Sequence, residues 1–232
     1  MVLKTCMNES TNAFGVIELR RYLLKPGMRD QLISLFEREF IETQEACGMV
    51  PIGHYRDLDD PNTFVWLRGF ENMKRRREAL EAFYLHSEAW LSNRDTANAT
   101  MLDSDDVLLL RNARPESGFD LRDLIRDNGT THSEHVVAAS IRMLDAPATE
   151  HFVETLEERL LPQLRRHAER VAYFVTDESL NDFPRLPVRE GEWAVVIVGT
   201  CPNSAALEEW SFIMSHPWET LRLAPAARSL FR

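Results

Sequence analysis

The strongest constraint on this chain is that it reads twice in the same order. In the first half, residues 14–24 (FGVIELRRYLL) alternate as a strand does and then break at Lys25-Pro26-Gly27. Proline cannot donate to a ladder, and glycine permits the turn. Residues 28–47 then space Leu32, Leu35, Phe36 and Phe40 as a helix would, and Gly48 stands where a helix-ending glycine is expected. A strand at 50–56, a turn at 57–62, a strand at 64–70, a helix at 72–84 and a strand at 107–111 follow. The second half gives a strand at 135–144, a helix at 149–168, strands at 171–176 and 192–200 and a helix at 204–214. The tail ARSLFR is read as its last strand. Each half is β-α-β-β-α-β.

That order is the ferredoxin-like pattern, in which both helices cover one face of the sheet. The other face must bury against something. Two units in one chain can supply that face to each other. The expected fold is therefore α+β: two tandem ferredoxin-like units forming a pseudo-dimer of the dimeric α/β-barrel type. Residues 1–114 form one unit, 115–132 a linker, and 133–232 a second, degenerate unit.

Composition narrows the function classes. The chain has 232 residues, a net charge of −10 and a pI of about 5.2. A chain this acidic is a poor ligand for nucleic acid or anionic lipid. No run reaches ~18 apolar residues, so no membrane-spanning helix is expected. The N-terminal segment lacks the apolar core of a secretion signal, and a cytoplasmic location is the expectation. Cys6, Cys47 and Cys201 are far apart and suggest neither disulfides nor a zinc site. There is no phosphate-binding glycine loop and no nucleophile elbow. Asp57, Asp59, Asp60, Asp103, Asp105 and Asp106 suit turns and caps, and their spacing matches no calcium loop. Neither metal nor cofactor is expected.

Several motifs occur in a familiar order. Residues 17–27 read IELRRYLLKPG, and residues 53–70 read GHYRDLDDPNTFVWLRGF. Glu71-Asn72-Met73 and a basic helix follow, then Glu81-Ala82-Phe83-Tyr84, Trp90, Arg94-Asp95, Asn98 to Met101 and VLLLR. Over about residues 15–114 this resembles bacterial NIPSNAP-type domains. The second half keeps the pattern without the signatures. The resemblance implies a dimeric α/β-barrel fold. It implies no settled chemistry, since the wider superfamily includes cofactor-free oxygenases, isomerases, dehalogenating and haem-handling proteins.

Strand parity suggests which side chains gather. If Ile17, Leu19, Leu23, Val65 and Leu67 face the helices, then Glu18, Arg20, Tyr22, Phe64, Trp66 and Arg68 face the barrel interior. Gly53 suits close approach of a helix, which adds Ile52, His54 and Arg56 to the interior. These residues form the candidate pocket. His54 is the candidate base, with Arg20 and Arg68 stabilising an anionic substrate; Glu18, Tyr22, Arg56, Phe64 and Trp66 line the ligand site. The rival reading makes Glu18, Arg20 and Arg68 a structural ion network. Lys74 to Arg77 read as a solvated helix face, and His86 and His216 as helix-end residues. Three functions stay open: a small-molecule barrel with oxygenase- or isomerase-type chemistry on an apolar or aromatic ligand, a non-enzymatic interaction module, and haem binding. The two copies can satisfy each other within one chain, so the assembly stays open between a monomer and a homodimer.

Overall fold

The structure, a computed structural model, describes residues 14–127 and 135–232. Cys6 and residues 128–132 of the expected linker lie outside them. Eight strands close into a barrel in the order β1-β3-β2-β8-β5-β7-β6-β4. The first half supplies β1 (Val16–Leu24), β2 (Val50–Asp57), β3 (Thr63–Phe70) and β4 (Met101–Asn112). The second supplies β5 (Val136–Leu144), β6 (Arg170–Thr176), β7 (Trp193–Cys201) and β8 (Glu219–Pro225). All pairings are antiparallel. The two seams between halves are short: Tyr55 to Asp57 on Leu223 to Pro225, and Leu110 to Asn112 on Phe174 to Thr176.

Helices cover the outside of the barrel. α1 (Arg29–Leu35) runs through a π-helical segment (Phe36–Phe40) into α2 (Ile41–Ala46). Gly48, at φ 93°, turns the chain into β2. Asn72 caps α3 (Met73–Glu81), which also ends in a π-helical segment (Ala82–His86); Ser87 caps α4 (Glu88–Thr100). In the second half Thr149 caps α5 (Glu150–Thr155), a π-helical segment (Leu156–Leu160) leads into α6 (Leu161–Leu164), and Asn203 caps α7 (Ser204–Ile213). No helix among the described residues is long and apolar enough to cross a membrane.

The barrel is filled with side chains from both halves. Ile17, Leu19, Val65, Leu67, Leu108 and Leu110 meet Val137, Ala139, Ala172, Phe174, Val196 and Leu223. Phe119, from the expected linker, packs on Phe174 and Phe231 with ring centroids 4.9 and 4.7 Å away.

This reverses one expectation. Glu18, Arg20, Tyr22, Phe64, Trp66 and Arg68 do share a face, but it is the face under the helices. Both faces of a closed sheet are buried, so apolar character alone does not say which one the helices cover. The interior holds aliphatic and aromatic side chains, and the outer layer holds the charges. A register shift between Pro51 and Gly53 then separates Ile52, which is in the barrel, from His54, which is outside. Gly53 makes room not for a helix but for Tyr55, whose hydroxyl would lie 1.9 Å from an added Cβ.

Two element boundaries also differ. α4 was not expected, because it is mostly exposed and buries only Ala97 and Thr100. The last strand is Glu219–Pro225 rather than the tail. The tail folds back instead, where Ala226 N–H donates to the His54 carbonyl and Phe231 N–H to the Ile52 carbonyl.

Candidate functional site

Charge is concentrated where β1 and β3 lie side by side beneath α3. The paired residues Glu18 and Arg68 lie opposite each other, with Arg20 and Trp66 the next pair on that face. Glu18 Oε2 accepts from Arg20 Nη1 at 2.6 Å and from Arg68 Nε at 2.7 Å, and Oε1 accepts from Arg76 Nε at 2.7 Å. All four side chains are 0–1% exposed. Arg76 Nη1 also donates to Asp182 at 2.6 Å. Burial pushes the Glu18 carboxyl up, but the guanidinium groups of Arg68, Arg20 and Arg76 outweigh it and hold the group well below the usual carboxylate range.

The same arginines reach past Glu18 to two tyrosines. Arg20 Nε donates to the Tyr22 hydroxyl at 2.9 Å, and Arg68 Nη1 donates to the Tyr84 hydroxyl at 3.1 Å. Each hydroxyl accepts from a cation and keeps its own proton to give. Burial raises the Tyr22 pKa against the pull of Arg20, so it is a neutral donor.

Both tyrosines line a cavity of about 350 Å³ between the sheet and the helices. Tyr22, Phe64 and Trp66 come from the strands, Phe36 and Phe40 from the π-helical segment between α1 and α2, Gln44 from α2, and Phe83, Tyr84, Trp90, Arg94 and Ala97 from the second helical layer. Phe183, Arg185 and Leu186 reach in from the loop between β6 and β7 of the other half. The rings are interlocked edge to face: Phe36 and Trp66 lie 5.1 Å apart, Tyr84 and Trp90 4.8 Å. Arg68 sits 4.9 Å from the Trp66 ring centroid. Trp66 Nε1 and Gln44 Oε1 are buried without a hydrogen-bond partner. An unpaired donor and an unpaired acceptor in the walls of one cavity are places for a ligand's polar atoms.

Residues 17–113, which carry all of this site except the loop, match one family model. That model is NIPSNAP. Among solved structures, an uncharacterised NIPSNAP-like domain protein from Burkholderia xenovorans is 25% identical over 40% of this chain and 81% of that one, with a TM-score of 0.36. Two others match nearly end to end. A proposed monooxygenase from Lactobacillus acidophilus NCFM covers 92% of this chain and 96% of its own at 12% identity and TM-score 0.54. One from Fusobacterium nucleatum covers 93% and 94% at 8% identity and TM-score 0.53. These two share the fold. No curated protein matches the sequence.

Within residues 17–113 the expected site residues separate into four groups. Tyr22, Phe64 and Trp66 line the cavity, and Glu18, Arg20 and Arg68 form the ion cluster beside it. Arg56 pairs with Asp30 at 2.9 Å on the outer edge. His54 is fully buried outside the cavity. Its Nε2 lies 2.8 Å from Glu37 Oε1, and its ring meets Phe36 at 5.1 Å. Burial lowers the His54 pKa against the hydrogen bond that it donates to Glu37, so the pair is neutral imidazole and carboxylate.

Sequence reasoning missed Arg76, Tyr84 and the loop. Arg76 was read with the solvated run Lys74 to Arg77, yet it is 0% exposed while Arg75 and Arg77 are open to water. The signal was there, because 73, 76, 80 and 83 form one helical stripe.

Among the described residues the other half has no such site. β5 and β7 pair in the register of β1 and β3, so Ala138 and Gly199 stand where Glu18 and Arg68 stand. Trp210 fills the space: its Nε1 donates to Ser140 at 2.9 Å, and its ring would lie 2.5 Å from a Cβ on Gly199.

Proposed function

We propose that the chain is two tandem ferredoxin-like units acting as an internal dimer, in which the NIPSNAP half binds a small aromatic ligand and the second half closes the site. The carrying observation is the pairing of Tyr22 and Tyr84 with Arg20 and Arg68 in the wall of an aromatic cavity. Two polarised hydroxyls and the Trp66 N–H offer donors to one oxygen-bearing ligand, such as a phenol, quinone or enolate. Donors preorganised in a dry site stabilise negative charge that develops on oxygen. In its enzymatic form this is oxygenase- or isomerase-type chemistry that passes through such an anion. The names of the Lactobacillus and Fusobacterium proteins fit that form, although their likeness carries only the fold.

In this reading Tyr22 and Tyr84 touch the ligand, Arg20 and Arg68 polarise them, and Glu18 neutralises the arginines. His54 positions Glu37 and the C-terminal segment and meets the site only through Phe36. The cavity is favoured over a haem pocket because no histidine or cysteine lines it. It is favoured over a purely structural module because Trp66 Nε1 and Gln44 Oε1 in its walls have no protein partner.

The test is titration of the purified protein with 2-naphthol, followed by tryptophan fluorescence, beside the variants Tyr22→Phe and Tyr84→Phe. Quenching that saturates, and weakens about fivefold in each variant while folding is retained, supports the reading. Absence of saturable binding overturns it.

A further inference from the structure

We infer that the ligand carries an anionic group and that Arg94 and Arg185, at the rim of the cavity, receive it. This rests on the ligand-site reading above and adds the sign and position of the ligand's charge.

Every charged residue lining the cavity is cationic, since Arg94 and Arg185 are lining residues and no carboxylate is. Both are exposed at their rim positions. Arg185 makes no hydrogen bond or ion pair among the described residues. Arg94 reaches only Asp95, at 3.7 Å, and that carboxylate is 96% exposed and well hydrated. Other exposed arginines of this chain are held more closely: Arg75 by Glu78 at 2.8 Å, Arg77 by Glu81 at 2.9 Å, Arg122 by Asp120 at 2.8 Å. In a chain with a net charge of −10, two weakly engaged guanidinium groups at the mouth of one aromatic-lined cavity form a local positive field. Such a field draws anions in and turns them charge-outward.

The chemistry inside agrees with that orientation. The deep donors Tyr22, Tyr84 and Trp66 suit a carbonyl or hydroxyl oxygen. The rim suits a group with full charge and planar or tetrahedral oxygens, which a guanidinium binds in its fork. Asp103 and Asp105 line the adjoining depression, which shares Asn98, Met101 and Ser104 with the cavity. They repel an anion from that side and leave it to the arginines. The two arginines come from different halves, α4 and the β6–β7 loop. The second half thus contributes recognition as well as cover.

Two dyes of nearly the same aromatic body test this. 1-Anilinonaphthalene-8-sulfonate carries a sulfonate, and N-phenyl-1-naphthylamine does not. At low salt the sulfonate dye is expected to bind about tenfold tighter. In Arg94→Ala/Arg185→Ala the preference falls to near parity while the neutral dye is unchanged, and added salt has the same effect on the intact chain. Equal binding of the two dyes, or a preference that survives in the double variant, overturns the inference and leaves the cavity reading standing. Ala97→Leu and Ser104→Phe, which fill the cavity from two sides, abolish binding of both dyes. If neither dye binds, or neither filling variant affects them, the cavity reading fails and this inference falls with it.

Discussion

Glu18 and Arg68 face each other across neighbouring strands, with the Glu18 Oε2 to Arg68 Nε distance at 2.7 Å and neither side chain exposed. Glu18 is also the shared counter-charge for Arg20 and Arg76. A buried pair is weak evidence of net stability, but removing one partner leaves an uncompensated buried charge. Here it would leave three guanidinium groups with Asp182 alone.

Glu18→Gln keeps the shape and removes the charge. It is expected to destabilise the protein by about 3–5 kcal/mol, which for a chain of this size is a fall in melting temperature of roughly 10 °C. Thermal unfolding followed by circular dichroism measures it. An unchanged melting temperature would mean that water, not Glu18, balances the cluster. Because the folded-state carboxyl is held below its ordinary value of 4.5, its contribution is present above that pH and is lost as pH falls further.

The second half carries the opposite solution at the same place. Trp210 covers Gly199 closely enough that Gly199→Ala forces the ring to move. That overpacking costs about 1–3 kcal/mol. Trp210→Ala leaves a cavity and removes one of the two partners of the Ser140 hydroxyl, Thr220 at 2.7 Å remaining, and costs about 3–5 kcal/mol. Urea denaturation of both variants checks the order. If Gly199→Ala proves neutral, the ring has room that the register does not suggest.

These two halves show what a sequence makes legible. The element order was readable because alternation and helical spacing survive divergence, and the grouping of Glu18, Arg20, Tyr22, Trp66 and Arg68 was readable because strand parity is strict. The face they occupy was not, since a closed barrel buries both sides and parity has no sign. Arg76 was hidden by its neighbours, as three of the four residues from Lys74 to Arg77 are exposed. The π-helical segments that place Phe36, Phe40, Phe83 and Tyr84 leave no periodic signature. One recurs at Leu156–Leu160, where there is no such cavity, so it belongs to the architecture and not to the site. The loop carrying Phe183 and Arg185 is joined to the site by tertiary structure alone.

His54 predicts a pH response. Burial holds it neutral in the fold, so its folded-state pKa lies below the ordinary 6.5. Such a group favours the folded state fully above pH 6.5 and progressively less as pH falls below it, because the unfolded chain takes up the proton more readily. Glu37, held low by the hydrogen bond from His54 and by Arg228 N–H in spite of its burial, adds a loss of the same sign below about 4.5. Stability measured by urea denaturation is expected to drop between pH 7 and 5.5, and His54→Gln is expected to flatten that slope. An equal slope in the variant would assign the titration elsewhere.

The last prediction concerns the link between halves. Arg76 holds Glu18 on one side and Asp182 on the other, and Asp182 directly precedes Phe183, which lines the cavity. Asn181 also accepts from Arg76, at 3.3 Å. Asp182→Asn weakens this tie without touching the buried core, since Asp182 is partly exposed. Global stability is expected to change by under about 1 kcal/mol. Amide exchange over residues 181–186 is expected to accelerate severalfold, because the loop loses its charged anchor while its neighbours keep theirs. Arg76→Lys should give the same local acceleration, since one ammonium cannot reproduce the fork that reaches both Glu18 and Asp182. Unaltered exchange in both variants would show that Phe183 packing, not the ion pair, holds the second half over the site.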